Sequence, residues 1–152
     1  VRDHVTLALR SDPNSPTALA FGGSVLLFTG EPTKARRSLT ACLRLDPRGP
    51  LAAMVMQFIS ISYYFENDYE RAAEEASLAA VRFPDFPLTY RWLAAALGQL
   101  GRTEEARVVL HKALELSPDS FNFYVRHRPP YYRNPQDHEH MLDGLRKAGW
   151  QG

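Results

Sequence analysis

The densest run of ligand-capable side chains is Asp137-His138-Glu139-His140, with His127 upstream of it. Carboxylates and imidazoles in that company have the composition of a divalent-metal site. The spacing argues against one. On a helix, residues two apart point about 200 degrees away from each other, so His138 and His140 cannot share an ion as an i, i+4 pair would. An extended backbone would return both rings to one face, and a zinc titration without heat would end that reading. The plainer expectation is a solvated helix surface. A second cluster joins Arg126, Arg128 and Arg133 to Tyr131 and Tyr132. Guanidinium and phenol together can stack on a base or hold a phosphate, although arginines so placed more often brace a tail against acidic helix ends. There is no Gly-rich phosphate loop, no Ser or Cys in a nucleophile setting and no paired-carboxylate motif. The expectation is therefore no catalytic residue, no cofactor and no metal.

The chain has the size of one domain. Its 152 residues are 45% hydrophobic and 23% charged, enough to bury a substantial core. The net charge of +1 supplies no field to gather nucleic acid or an anionic membrane surface. Cys42 is the only cysteine, so no intramolecular disulfide can form, which agrees with a reducing, cytoplasmic setting. The most apolar stretch, Leu51 to Phe65, carries Gln57, Ser60 and Ser62 and falls short of the roughly 20 residues a membrane span needs. Neither a leader peptide nor a membrane anchor is expected.

The element that orders the rest is Leu88 to Pro118. It reads Tyr90-x2-Leu93-Ala94-x2-Leu97, a Gly101-Arg102 turn, then Ala106-x3-Leu110, Ala113 and Pro118. These residues and offsets resemble one tetratricopeptide repeat (TPR), a pair of antiparallel helices about 34 residues long in which small residues permit close approach. The same frame extends upstream, because Pro84 precedes Pro118 by 34 positions and follows Pro47 by 37. Three full repeats are predicted at 16–49, 53–86 and 87–120. Residues 1–13, with Val5 and Ala8 on a packing face and Pro13 at the terminal position, are expected to be the second helix of a truncated repeat. The chain is accordingly expected to be a piece of a longer protein.

Within the first repeat, Ser15 and Pro16 make a helix start and Gly30 a stop. Gly22 and Gly23 weaken that helix unless a close crossing requires them, and Cys42 stands at a packing position. The helix Leu51 to Phe65 is apolar nearly all round, so burial on more than one side is expected. That apolarity also motivates an alternative role as an oligomerisation module. Asp68 can cap the next helix, whose Ala72, Ala76 and Ala79 form its packing face. After Pro118 the pattern stops. Residues 121–152 are predicted to comprise an extended aromatic segment, Phe121 to Tyr132, and a capping helix from Pro135 to Lys147 ended by Gly149. A helix of about 13 residues is marginal alone, and the exposed flank of the third repeat is the expected dock. The fold class is thus an all-α TPR superhelix with an extended C-terminal segment and a capping helix.

The TPR resemblance implies a concave groove lined by the first helix of each pair. The corresponding residues are Thr17, Ala20, Ser24 and Leu27, then Met54, Gln57, Ile61 and Tyr64, then Leu88, Arg91, Ala95 and Gly98. Met54, Gln57, Ile61, Tyr64, Leu88 and Arg91 are the peptide-contact candidates. The Lys and Asn of the carboxylate-clamp TPRs are missing, which leaves an apolar groove with one cation, suited to a hydrophobic peptide or helix. The occupant is a protein or peptide, this chain's own C-terminal tail, or a second copy. The tail, from Arg126-His127-Arg128-Pro129-Pro130-Tyr131-Tyr132 to Met141-Leu142-Asp143-Gly144-Leu145-Arg146-Lys147-Ala148-Gly149-Trp150, resembles the C-terminus of bacterial class III adenylate/guanylate cyclases. That implies a non-catalytic regulatory or scaffolding end of such a signalling protein, with the cyclase domain elsewhere.

Overall fold

The computed structural model describes residues 11–152. The expected half repeat, with Val5 and Ala8, lies almost wholly outside the described residues. From Pro16 onward eight helices follow: α1 Pro16–Phe28, α2 Pro32–Leu45, α3 Ala52–Phe65, α4 Tyr69–Arg82, α5 Pro87–Gln99, α6 Thr103–Leu116, α7 Pro118–Arg126 and α8 Pro135–Lys147. No strand occurs among the described residues. Proline opens α1, α2, α5, α7 and α8 at a position where its missing N–H costs nothing. Ser15 also accepts from the Ala18 amide at 3.2 Å, and Asp68 from that of Arg71 at 3.3 Å.

The repeat is visible in its turns. Gly30, Asn67 and Gly101 have φ of 95°, 62° and 73°, and each sits between the two helices of a pair. The following amides reach back across the turn, Glu31 to Leu26, Asp68 to Tyr63 and Arg102 to Leu97, at 2.9 to 3.0 Å. This is the left-handed helix stop that Gly adopts freely and Asn tolerates better than other side chains. Short turns of this kind fold α1 on α2, α3 on α4 and α5 on α6 as neighbours.

Small residues set how closely the helices lie. A Cβ on Gly23 would stand 2.7 Å from Leu39 Cγ, so α1 and α2 cross where that glycine is; Gly22 has nothing within 4 Å. Cys42 is buried and its thiol donates to the Pro16 carbonyl at 3.2 Å. Between the first and second pairs, Arg36 spans to Glu66 at 2.8 Å and Ser62 at 2.9 Å while lying 4.0 Å over the Tyr63 ring. The apolar circumference of α3 is used inside the fold: Val55, Met56, Ile59, Ile61 and Tyr64 are all buried. It packs on α2 and α4, with further contacts to α1 and α5.

Two expectations about the tail require correction. Phe121 to Arg126 are not extended but form most of α7. Pro129 restrains only the residue before it, whereas Pro118 and Asp119 favour a helix at the start of this segment. It is α7, through buried Phe121 and Val125, that follows α6 over the end of the array. The last helix, α8, does dock on the third repeat, but along the inner face of α5, where it also reaches α3 and α4, and not on the repeat's end. Gly149, φ 105°, ends it, with the Trp150 amide returning to the Leu145 carbonyl at 2.9 Å.

Candidate functional site

The last groove positions of α3 and α5, Tyr64, Ala95 and Gly98, are the surface that α8 covers. Gly98 faces Gly144 so closely that a Cβ on Gly98 would run into the Gly144 carbonyl, and one on Gly144 would stand 2.7 Å from the Ala95 carbonyl. Tyr64, 1% exposed, donates its hydroxyl to the His140 carbonyl at 2.7 Å and receives Gln99 Nε2 at 3.2 Å. Gln99 and Lys147 also hold Asp143, at 3.0 and 2.9 Å, and these two bonds pull its carboxyl below the usual range. The connecting segment crosses back toward α1. There the Arg133 amide bonds the Phe28 carbonyl at 2.9 Å, and Tyr131 and Tyr132 set their rings 4.9 and 4.8 Å from that of Phe28.

The six peptide-contact candidates divide accordingly. Tyr64 is engaged by α8, and Gln57 is completely buried with neither side-chain atom hydrogen-bonded among the described residues. Met54, Ile61, Leu88 and Arg91 line one cleft of about 330 Å³, together with Phe28, Phe58, Trp92, Tyr124, Tyr131 and Tyr132. A neighbouring apolar cleft of about 450 Å³ shares Phe28, Met54, Phe58 and Tyr131 and adds Phe21, Ser24, Val25 and Thr29. Of the other groove positions, Ala20, Leu27 and Ala95 are fully buried. Phe28, Phe58 and Tyr124 escaped the sequence reading. The aromatic density of the tail was a signal for Tyr124, but nothing local pairs it with the first repeat.

The clusters that looked chemical are used structurally. His138 and His140 do point apart, yet neither is solvated as expected. His138 is 8% exposed and its Nε2 lies 2.7 Å from the Tyr124 carbonyl. The His140 ring lies 4.4 Å from that of Tyr64, tilted by 37°, with Nε2 2.6 Å from the Tyr69 hydroxyl. Burial holds its pKa below 6.5, reinforced by Lys147 and opposed by Asp143. Among the described residues no group of three or more His, Cys, Asp or Glu is placed to hold a metal. Arg126, Arg128 and Arg133 are exposed, and none forms an ion pair among the described residues, so they do not brace the tail. The tail is held by aromatic packing and backbone bonds instead.

Paired helices, left-handed turns at one-repeat intervals and a covered inner face define an all-α array of the tetratricopeptide-repeat type. Residues 87–127, which comprise α5, α6 and α7, match the tetratricopeptide repeat family (TPR_14). The fold is similar to that in the crystal structure of MamA, with a TM-score of 0.65 and 18% identity over 95% of this chain and 82% of that one. It is similar also to the structure MamA AMB-1 C2221, at a TM-score of 0.56 and 22% identity over 91% of this chain and 79% of that one. At such identities the likeness is one of fold. No curated protein matches the sequence.

Proposed function

We propose that this chain is a non-catalytic interaction module that offers an apolar cleft, walled by its own tail, to a segment of another protein. The observation that carries this reading is the cleft beside Tyr131, where Phe21 is 37% and Val25 62% exposed and Met54 and Phe58 form the floor. Exposed apolar side chains gathered in a concavity, with the fold of a repeat array around them, suit an amphipathic helix laid into a groove. A peptide-display selection against the purified chain tests it. Apolar residues at i, i+3 and i+4 should be enriched, and Met54→Glu should abolish enrichment. Recovery of the same peptides from both proteins would overturn the reading. No helix among the described residues is long and apolar enough to cross a membrane.

The finer reading, that the module is the C-terminal region of an adenylate/guanylate cyclase, is supported by the tail motif alone. Neither the matched family nor the two similar structures named above is a cyclase. Cyclic-nucleotide synthesis by the full-length protein, with none by residues 1–152, is the expected result, and a full-length protein without that activity would end it. The alternative, a structural oligomerisation module, would have to use the part of α3 that stays in the open cleft, Met54 and Phe58, because Val55, Met56, Ile59, Ile61 and Tyr64 are buried.

A further inference from the structure

Arg91 is an anomaly in the cleft it lines. It is 5% exposed, and neither an ion pair nor a hydrogen bond to its guanidinium occurs among the described residues; its Nε is buried without a partner. A buried cation is ordinarily paired, because leaving water without compensation costs several kcal/mol. The surroundings compensate only in part. One face of the guanidinium lies 4.5 Å over the Tyr124 ring, and Tyr131 and Tyr132 complete an aromatic wall. Phenols soften the penalty and carry no charge to cancel it. The edge of the guanidinium, with its fork of N–H donors, is left for another acceptor.

We propose that this cleft binds a small monocarboxylic acid with an aromatic or branched apolar body, its carboxylate on Arg91 and its body against Trp92, Ile61 and Phe58. The charge count favours a carboxylate over a phosphate. One guanidinium balances one negative charge, whereas a dianion would leave a net charge in an apolar enclosure. About 330 Å³ is enough for a single-ring acid. Because the tail supplies Tyr131 and Tyr132, an occupant would tie the tail to α5 and couple small-molecule binding to closure of the inner face. The site shares Phe58 with the neighbouring cleft, so it is tested on the chain without a protein partner.

Titration calorimetry of the whole chain with 3-phenylpropionate and with its neutral counterpart 3-phenylpropanamide tests the assignment. One-site binding of the acid, at least about tenfold tighter than the amide, is expected. Arg91→Met, close in length and uncharged, should erase the preference, and its ligand-free melting temperature should equal or exceed that of the native chain, since an uncompensated charge is gone. Equal binding of acid and amide, binding of neither, or a preference that survives in Arg91→Met would each overturn the proposal. A melting temperature that falls in Arg91→Met, with no acid binding to the native chain, would instead make Arg91 a brace for Tyr124.

Discussion

Tyr64 shows how a side chain that repeat spacing points at a groove becomes part of the core. Its hydroxyl satisfies the His140 carbonyl and accepts from Gln99, and burial pushes the phenol well above its usual range. Tyr64→Phe would remove the bond to the His140 carbonyl and one of the two that Gln99 Nε2 donates, and a loss of about 1–3 kcal/mol is expected in denaturant unfolding. An unchanged midpoint would mean that water replaces the hydroxyl without cost. His140, next along, gives a pH dependence of defined sign. Burial favours its neutral ring, so the contribution is complete above about pH 6.5 and is lost as pH falls through the depressed folded pKa. Asp143, held below its usual value by Lys147 and Gln99, loses its contribution only at lower pH, which separates the two windows. Amide exchange across residues 135–147 should accelerate on acidification below 6.5, and His140→Gln should remove that step. If the step persists in His140→Gln, another group is responsible.

At the scale of helices, glycines that look alike in the sequence have opposite roles. Gly22 faces open space, so Gly22→Ala should stabilise α1 by up to about 1 kcal/mol through helix propensity. Gly23→Ala meets Leu39 and the Ala35 carbonyl and should cost about 1–3 kcal/mol. Thermal melts of the two single variants suffice, and equal shifts would contradict the crossing geometry. Gly98 and Gly144 form the corresponding contact between α5 and α8, backbone against backbone. Gly98→Leu should lift α8 from the groove while leaving the helical pairs intact, seen as exchange or proteolytic cleavage confined to residues 127–150. Global unfolding in place of local release would show that α8 is integral to the array. These close approaches were half legible: the sequence marks where glycine is tolerated in a helix, not which neighbour demands it.

For the molecule as a whole, the tail closes an inner face that the paired helices alone would leave open. Removing residues 127–152 would uncover Tyr64, Trp92 and Ala95 together, an apolar patch of the kind that drives association. Light scattering should find the full chain smaller than the truncated one at equal concentration; a truncated chain that remains monomeric would mean that the inner face is satisfied without its cover. The sequence alone determined the helical pairs, because period, capping residues and turn residues act within a few positions: Ser15 caps Ala18, Gly30 and Gly101 turn the chain, and Ala72 and Ala76 mark a packing face. It also marked a helix at Pro135–Lys147 without its destination, and read Phe121 to Arg126 as extended because the prolines downstream were given more reach than they have. Only the tertiary structure decided that Tyr131 and Tyr132 meet Phe28 and that Gly144 meets Gly98. Those pairings join residues far apart along the chain, and they are selected by the shape and unmet hydrogen bonds of a surface that exists only once the helices have assembled.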